Sequence, residues 1–228
     1  TSLYTVMPLY QGELLSTRLA RRPLVGLEEG RNIAIKLSRG IGALHRAGII
    51  HRDIKPDNII LEAEGSLKLI DLGVVRVPGL EDFPAEDIPG TLAYMAPEML
   101  SGDEKGNEQT DIYALGVTMF RVFAGEYPYG NIDAVNPSRK TRPTPLAELR
   151  PDLPAWLQEA LGRAIALDPD QRFRDVSEFA VEMEAGPARE PMGARRPLTL
   201  YERQPVRFWQ GVAAILALVV IFLLWRQH

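Results

Sequence analysis

Apolar and polar positions alternate in short, differently spaced blocks along residues 1 to about 184. Residues 3–10 form an apolar run closed by Gly12. Between residues 31 and 47, Ile33, Leu37, Ile41 and Leu44 fall on one face at helical spacing, which predicts an amphipathic helix. Residues 59–61 and 67–70 are short apolar runs around a polar turn with Gly65, the pattern of a β-hairpin. Thr110 is placed to cap a helix that carries Ile112, Leu115, Met119 and Phe123 and stops at Gly125. That segment is apolar nearly all round, so it is expected deep in a core. Further helices are predicted over residues 154–167 and 176–183, and the basic, proline-rich residues 139–145 read as loop.

The pattern changes at the C-terminal end. Residues 185–206 are rich in Pro, Arg and Gly and have little to bury, so they read as a linker. Residues 208–225 are then almost uninterruptedly apolar, long enough to make a helix of roughly 27 Å, close to the thickness of a bilayer's hydrocarbon core. Trp209 and Trp225 bracket the run as interfacial aromatics do, and Arg207 and Arg226 flank it. A transmembrane helix is therefore expected over residues 207–226. The competing reading, a buried core helix, fits poorly with apolar residues on every face behind a polar linker. Arg195, Arg196, Arg203 and Arg207 precede the span, which by the positive-inside rule puts the preceding domain in the cytoplasm, held by a tail anchor.

Composition narrows the chemistry. The chain is 46% hydrophobic and 25% charged, a globular balance. A formal net charge of -4 argues against a nucleic-acid surface, and no nucleic-acid partner is expected. With no cysteine, the sequence offers no disulfide scaffold, thiolate metal site or cysteine nucleophile. Its first residue is Thr1 rather than Met, so a longer polypeptide is expected.

The densest chemistry lies between the predicted helix and hairpin: His51-Arg52-Asp53-Ile54-Lys55-Pro56-Asp57-Asn58, followed at Asp71 by Asp71-Leu72-Gly73. Phosphoryl transfer needs a carboxylate to orient the attacking hydroxyl, hard oxygen ligands for magnesium and a cation for the moving phosphate. Asp53, Asn58, Asp71 and Lys55 are the residue types that supply them. Taken singly, aspartate and asparagine are more often caps and turn residues.

The block resembles the catalytic loop of protein kinases, with Asp71-Leu72-Gly73 in place of the usual Asp-Phe-Gly. Further motifs follow in that family's order: Gly90-Thr91-Leu92-Ala93-Tyr94-Met95-Ala96-Pro97-Glu98, Asp111-Ile112-Tyr113-Ala114-Leu115-Gly116 and Asp168-Pro169-Asp170-Gln171-Arg172-Phe173. The resemblance covers residues 1–184 and is strongest to bacterial relatives of the eukaryotic Ser/Thr kinases. It implies an α+β, kinase-like fold whose larger lobe is mainly helical with small β-hairpins. ATP and Mg²⁺ are the implied cofactors, and protein Ser/Thr hydroxyls the implied substrates. Lys55, two residues after Asp53, and Thr91, after Gly90, favour Ser/Thr over Tyr as the acceptor.

Carried over residue by residue, the resemblance makes Asp53 the catalytic base and Lys55 the contact to the γ-phosphate. Asn58 and Asp71 become magnesium ligands. Residues 3–10 become the hinge, with Met7 as gatekeeper, Pro8 and Tyr10 offering backbone groups to adenine, and Ile60 packing beneath the ring. Leu72, with His51, is expected in the apolar column that ties the catalytic loop to the magnesium loop. Glu98 and Arg172 match a structural ion pair, and Asp111 an aspartate that holds the catalytic-loop backbone. His45 and His228 are expected on the solvent side without a role, and Met95 and Met99 in packing. Asp57 suggests a preference for a basic residue before the target hydroxyl.

Kinases of this type are often activated by a phosphate that pairs with the arginine beside the catalytic aspartate. Between Asp71 and Gly90 there is no Ser, Thr or Tyr, but there are Glu81, Asp82, Glu86 and Asp87. One or more of these carboxylates is expected either to pair with Arg52 in the phosphate's place or to form a solvated acidic loop. No segment reads as the glycine-rich loop, strand lysine or helix glutamate of the smaller lobe, which is expected upstream. Some bacterial kinases with a similar lobe and anchor also carry an N-terminal metal-dependent phosphatase domain there. The alternative readings are a pseudokinase signalling scaffold and, less well matched, a membrane-tethered phosphopeptide-binding module.

Overall fold

A computed structural model of the chain describes residues 8–72, 74–77, 79, 91–101, 105–131 and 141–188. These all belong to the first of two units, Thr1–Glu190. Met7, Gly73, Gly90, the carboxylates of Glu81, Asp82, Glu86 and Asp87, most of the linker, the 207–226 span and His228 lie outside the described residues. Among the described residues no helix is long and apolar enough to cross a membrane.

Two helices organise the lobe. The first, α2 (Leu27–Arg46), buries Ile33, Ala34, Leu37, Ser38 and Ile41 along one stripe, as the periodicity predicts. It starts earlier than expected, with Glu28 and Glu29 in its first turn and His45 and Arg46 in its last, both favourable to the helix dipole. The second, α4 (Glu108–Ala124), is buried on nearly every face, from Ile112 to Phe123. Thr110 does not cap it. Asn107 is the cap, its Oδ1 accepting from the backbone N–H of Gln109 (2.9 Å) and Thr110 (3.1 Å), while the Thr110 hydroxyl accepts from Asn107 N (3.1 Å). The capping box moves the start of the helix forward of the residue that looked like the cap. Gly125 ends α4 in the left-handed region, φ 74°, where a side chain would be strained. Helices α2 and α4 approach closely at Gly30, where an added Cβ would sit 2.2 Å from the Phe123 ring.

Shorter elements complete the lobe. Strands β2 (Ile59–Glu62) and β3 (Leu67–Leu69) form the predicted hairpin. A third strand, β1 (Gly12–Leu14), pairs antiparallel with β2, giving a sheet of order β1-β2-β3 with Leu14 opposite Ile60 and Ile59 opposite Leu69. Helix α1 (Leu15–Arg21) follows directly and packs against the 3₁₀ turn Pro56–Asn58. Beyond it lie the short α3 (Pro97–Leu100) and α5 (Leu146–Leu149), then α6 (Ala155–Ala164) against α4. Helix α7 (Val176–Ala185), capped by Asp175, lies across α2. The first residues assigned to the linker stay with the lobe: Ala185 ends α7, and Gly186–Ala188 form a 3₁₀ turn in which Gly186 meets the Trp156 ring.

Candidate active site

The site begins with an aspartate that has no formal cation to pair with among the described residues apart from a histidine. Asp111, fully buried on α4, accepts hydrogen bonds from the backbone N–H of His51 (2.9 Å) and Arg52 (2.8 Å). Arg52 itself holds φ 67°, a left-handed conformation that costs a non-glycine residue roughly 1–2 kcal/mol. The two bonds fix that conformation and so aim the residue that follows, Asp53. A second tie from α4, Thr118 Oγ1 to the Ile54 carbonyl at 3.1 Å, holds the other side of Asp53.

Asp53 is 7% exposed and sits among three polar partners. Lys55 Nζ forms an ion pair with its Oδ2 at 2.7 Å. Asn58 Nδ2 donates to its carbonyl (2.8 Å) and to Oδ2 (2.9 Å). The Thr91 hydroxyl receives a hydrogen bond from Lys55 Nζ (2.8 Å) and reaches Asp53 Oδ1 at 3.4 Å. Thus Asp53, Lys55 and Asn58, chosen from the sequence, come together, and Thr91 joins them from the far side of the activation segment.

The hairpin then places the remaining oxygen donor. Ile59 pairs with Leu69, and the Asn58 carbonyl accepts from Ile70 N at 2.9 Å, so Asn58 and Asp71 leave the sheet at the same end. Asp71 is exposed and also has positive φ, 65°. Past it, Ile50 and Arg76 exchange backbone hydrogen bonds of 2.8 Å in both directions, and Arg52 donates to the carbonyls of Val74 (2.6 Å), Val75 (3.3 Å) and Lys105 (3.1 Å). The guanidinium therefore staples the segment after Asp71 to the catalytic loop.

The donor set fits magnesium. Asn58 commits its amide nitrogen to Asp53, so its Oδ1 is the hard oxygen it could offer a cation. Asn58 and Asp71 would contribute two protein oxygens, in keeping with an ion that keeps waters and phosphate oxygens in its remaining positions. Among the described residues no group of three or more His, Cys, Asp or Glu gathers as a metal site.

The other predicted positions are more scattered. Ile60 is half-buried on β2. Pro8 is exposed and Tyr10 half-buried in the irregular segment before β1. His51 is fully buried, and burial holds its imidazole below the ordinary value of 6.5 against the raising effect of Asp111, Asp53 and Asp71. Its Nδ1 accepts from Asp53 N at 3.3 Å. Leu72 departs from expectation: it is 52% exposed and does not join His51 in a packed column. His45 departs in the opposite sense. Its side chain is 6% exposed, and Nε2 lies 2.8 Å from Asp111 Oδ2, so it is a third partner of the anchor and not a solvent-side residue. Its spacing from Ile41 on the helix was the available signal, but only the packing of α4 against α2 turns it inward.

The predicted scaffold pair is present: Arg172 holds Glu98 through two bonds, 2.6 and 2.9 Å, with the Arg172 side chain wholly buried. Residues 1–178 match the family model for the protein kinase domain. The chain belongs to the protein kinase domain family. It is 30% identical over 180 residues to serine/threonine-protein kinase PknA of Mycobacterium tuberculosis, covering 78% of this chain and 41% of that protein. To serine/threonine-protein kinase PknK of Mycobacterium bovis it is 32% identical over 184 residues, 79% of this chain and 16% of the relative. To PknA of Corynebacterium glutamicum it is 28% identical over 186 residues, 81% of this chain and 39% of the relative. The chain thus spans less than half the length of these kinases.

Proposed function

We propose that this kinase-family chain is the substrate- and magnesium-binding lobe of a protein serine/threonine kinase. The observation that carries the reading is the cluster of Asp53, Lys55, Asn58 and Thr91, in which one carboxylate is oriented by two nitrogen donors and a hydroxyl. ATP bound with Mg²⁺ would supply the transferable phosphoryl group and neutralise its charge. Asp53 orients the acceptor hydroxyl and takes its proton. Lys55, now paired with Asp53, is near enough to turn its ammonium to a phosphate oxygen. As the resemblance implies, Asn58 and Asp71 would hold the magnesium, Pro8, Tyr10 and Ile60 would meet the adenine, and Met7 would be the gatekeeper.

The glycine-rich loop and strand lysine of a complete kinase are not among these 228 residues, so the reaction needs a smaller lobe supplied from elsewhere. In the full scheme residues 1–184 are the kinase lobe, 185–206 a linker and 207–226 a transmembrane anchor with the lobe in the cytoplasm. The almost unbroken apolar run and its flanking arginines support that part. An alkaline carbonate wash should leave the full-length protein in the membrane fraction and release a version ending at residue 206; release of both removes the anchor from the scheme.

The decisive measurement is ATP- and Mg²⁺-dependent phosphorylation of a generic Ser/Thr substrate by the full-length protein and its Asp53→Asn variant. A loss of about 10²–10⁴-fold in kcat in the variant, with an unchanged melting temperature, assigns the base. A folded but inactive wild type supports the pseudokinase scaffold instead.

A further inference from the structure

Arg121 is a second charged group that α4 brings towards the catalytic loop, and no motif read from the sequence uses it. It lies half-buried in the last turn of the helix. Its Nη1 donates to the Tyr94 hydroxyl, and its guanidinium carbon lies 4.8 Å from the centroid of the Tyr127 ring. The two tyrosine rings meet edge to face at 5.5 Å, with their hydroxyls 3.5 Å apart. Burial pushes the Tyr94 phenol well above its ordinary range, so it accepts a hydrogen bond as a neutral group and gives Arg121 no counter-charge. Among the described residues no carboxylate forms an ion pair with Arg121. The exposed Asp57 acts on it only through space.

Arg121 lines a surface cavity of about 230 Å³ with Ser16, Leu19 and Ala20 of α1, Pro23 and Gly125. Arg121 is the one charged residue in that lining. Two of Arg121's neighbours reach the catalytic loop. Helix α1 packs on the Pro56–Asn58 turn of the catalytic loop. Tyr94 closes the 3₁₀ turn Leu92–Tyr94, which starts next to Thr91, the partner of Lys55 and Asp53. An arginine presents a rigid fork of donors suited to carboxylate or phosphate, and its attraction is strongest where water is partly excluded.

We propose that Arg121 is a specificity-determining residue, and that this cavity receives an acidic side chain of the protein substrate, carboxylate or phosphate, flanking the target Ser or Thr. The proposal rests on the kinase reading and names its substrate class. It also revises the expectation drawn from Asp57. That carboxylate alone would attract a basic residue, but Arg121 opposes its field, and the cavity belongs to Arg121.

The test is kcat/KM of the full-length protein on peptides in which each position around one target hydroxyl is set in turn to Ala, Asp, Glu, phosphoserine or Lys. Wild type should favour an acidic residue at one position by about tenfold over Ala, which is about 1.4 kcal/mol. In Arg121→Gln that ratio should fall to about one, and in Arg121→Glu it should turn in favour of Lys. Phosphoserine well above Asp and Glu identifies substrates already phosphorylated; equal ratios identify plain carboxylates. No acidic preference in the wild type, or the same preference in all three proteins, overturns the proposal. If Arg121→Glu melts early, wild type and Arg121→Gln decide between them. If the wild type phosphorylates nothing, the kinase reading fails separately. Anisotropy of labelled Asp and Lys peptides on the same full-length protein without ATP then decides this one. Tighter binding of the Asp peptide, lost in Arg121→Gln, supports it; equal binding overturns it.

Discussion

Asp111 and Arg172 are both buried charges that tie a loop to α4, yet their partners differ in kind. Asp111 takes its hydrogen bonds from two consecutive backbone N–H groups and one imidazole. Arg172 meets an opposite charge, Glu98, and spends its other donors on the carbonyls of Ala166, Gln109 and Leu167. It also lies 4.9 Å over the Tyr113 ring. Backbone donors fix the dihedral angles of the chain that carries them, so Asp111 decides the shape of the catalytic loop and the aim of Asp53. An ion pair between side chains decides only that α3 and the turn before α7 meet. The first anchor therefore belongs to chemistry and the second to stability.

The comparison breaks or sharpens on three measurements. Arg172→Ala leaves the half-buried Glu98 and the carbonyls around a wholly buried guanidinium without their partner, and should cost about 3–5 kcal/mol in urea unfolding. At a temperature where the variant is folded, kcat per folded molecule should stay close to wild type. A large loss of kcat in folded protein would give Arg172 a part in the chemistry.

Asp111→Asn comes next. The carboxamide keeps one acceptor but turns an N–H₂ towards another donor, at a cost of about 1–3 kcal/mol. The larger change is expected in turnover, because the left-handed Arg52 is no longer held on both bonds. Denaturant melts and kcat on the same preparation separate the two effects; unchanged kcat would erase the distinction drawn here.

The smallest effect concerns pH. The folded His51 imidazole lies below its ordinary value of 6.5 because it is buried. The unfolded chain therefore binds the extra proton first. The stability that a neutral His51 allows is complete above pH about 6.5 and declines as the pH falls below it. The slope of unfolding free energy between pH 7 and pH 5 should shrink in His51→Phe, and an identical slope would show that other groups dominate.

The proposed acceptor pocket is the region where sequence reasoning fell furthest short. Asp57 was visible in the catalytic motif. Arg121 was simply a polar residue in an apolar helix, and nothing in its spacing links it to Tyr94 or to the catalytic turn. The same limit hid β1 and α1. A three-residue strand is stable only because β2 lies beside it, and a seven-residue helix is too short to hold itself together in water. His45 was misjudged because its spacing from Ile41 gives its side of α2 but not that α4 covers that side at the helix end. Leu72 was misjudged because burial of a loop leucine depends on what packs over it.

What the sequence determined by itself is local and chemical. The stripe of α2, the apolar barrel of α4, the left-handed stop at Gly125 and the hairpin around Gly65 follow from spacing and backbone freedom. The order of motifs from His51 to Phe173 places the chain in its family before any coordinate is known. The resemblance already matched Glu98 with Arg172 and Asp111 with the catalytic-loop backbone. Only the tertiary structure decided that His45 reaches 66 residues to Asp111 and that Arg121 reaches 27 residues to Tyr94. Such contacts depend on helices crossing at set places in a packed core, and residue spacing along one chain carries no record of that crossing.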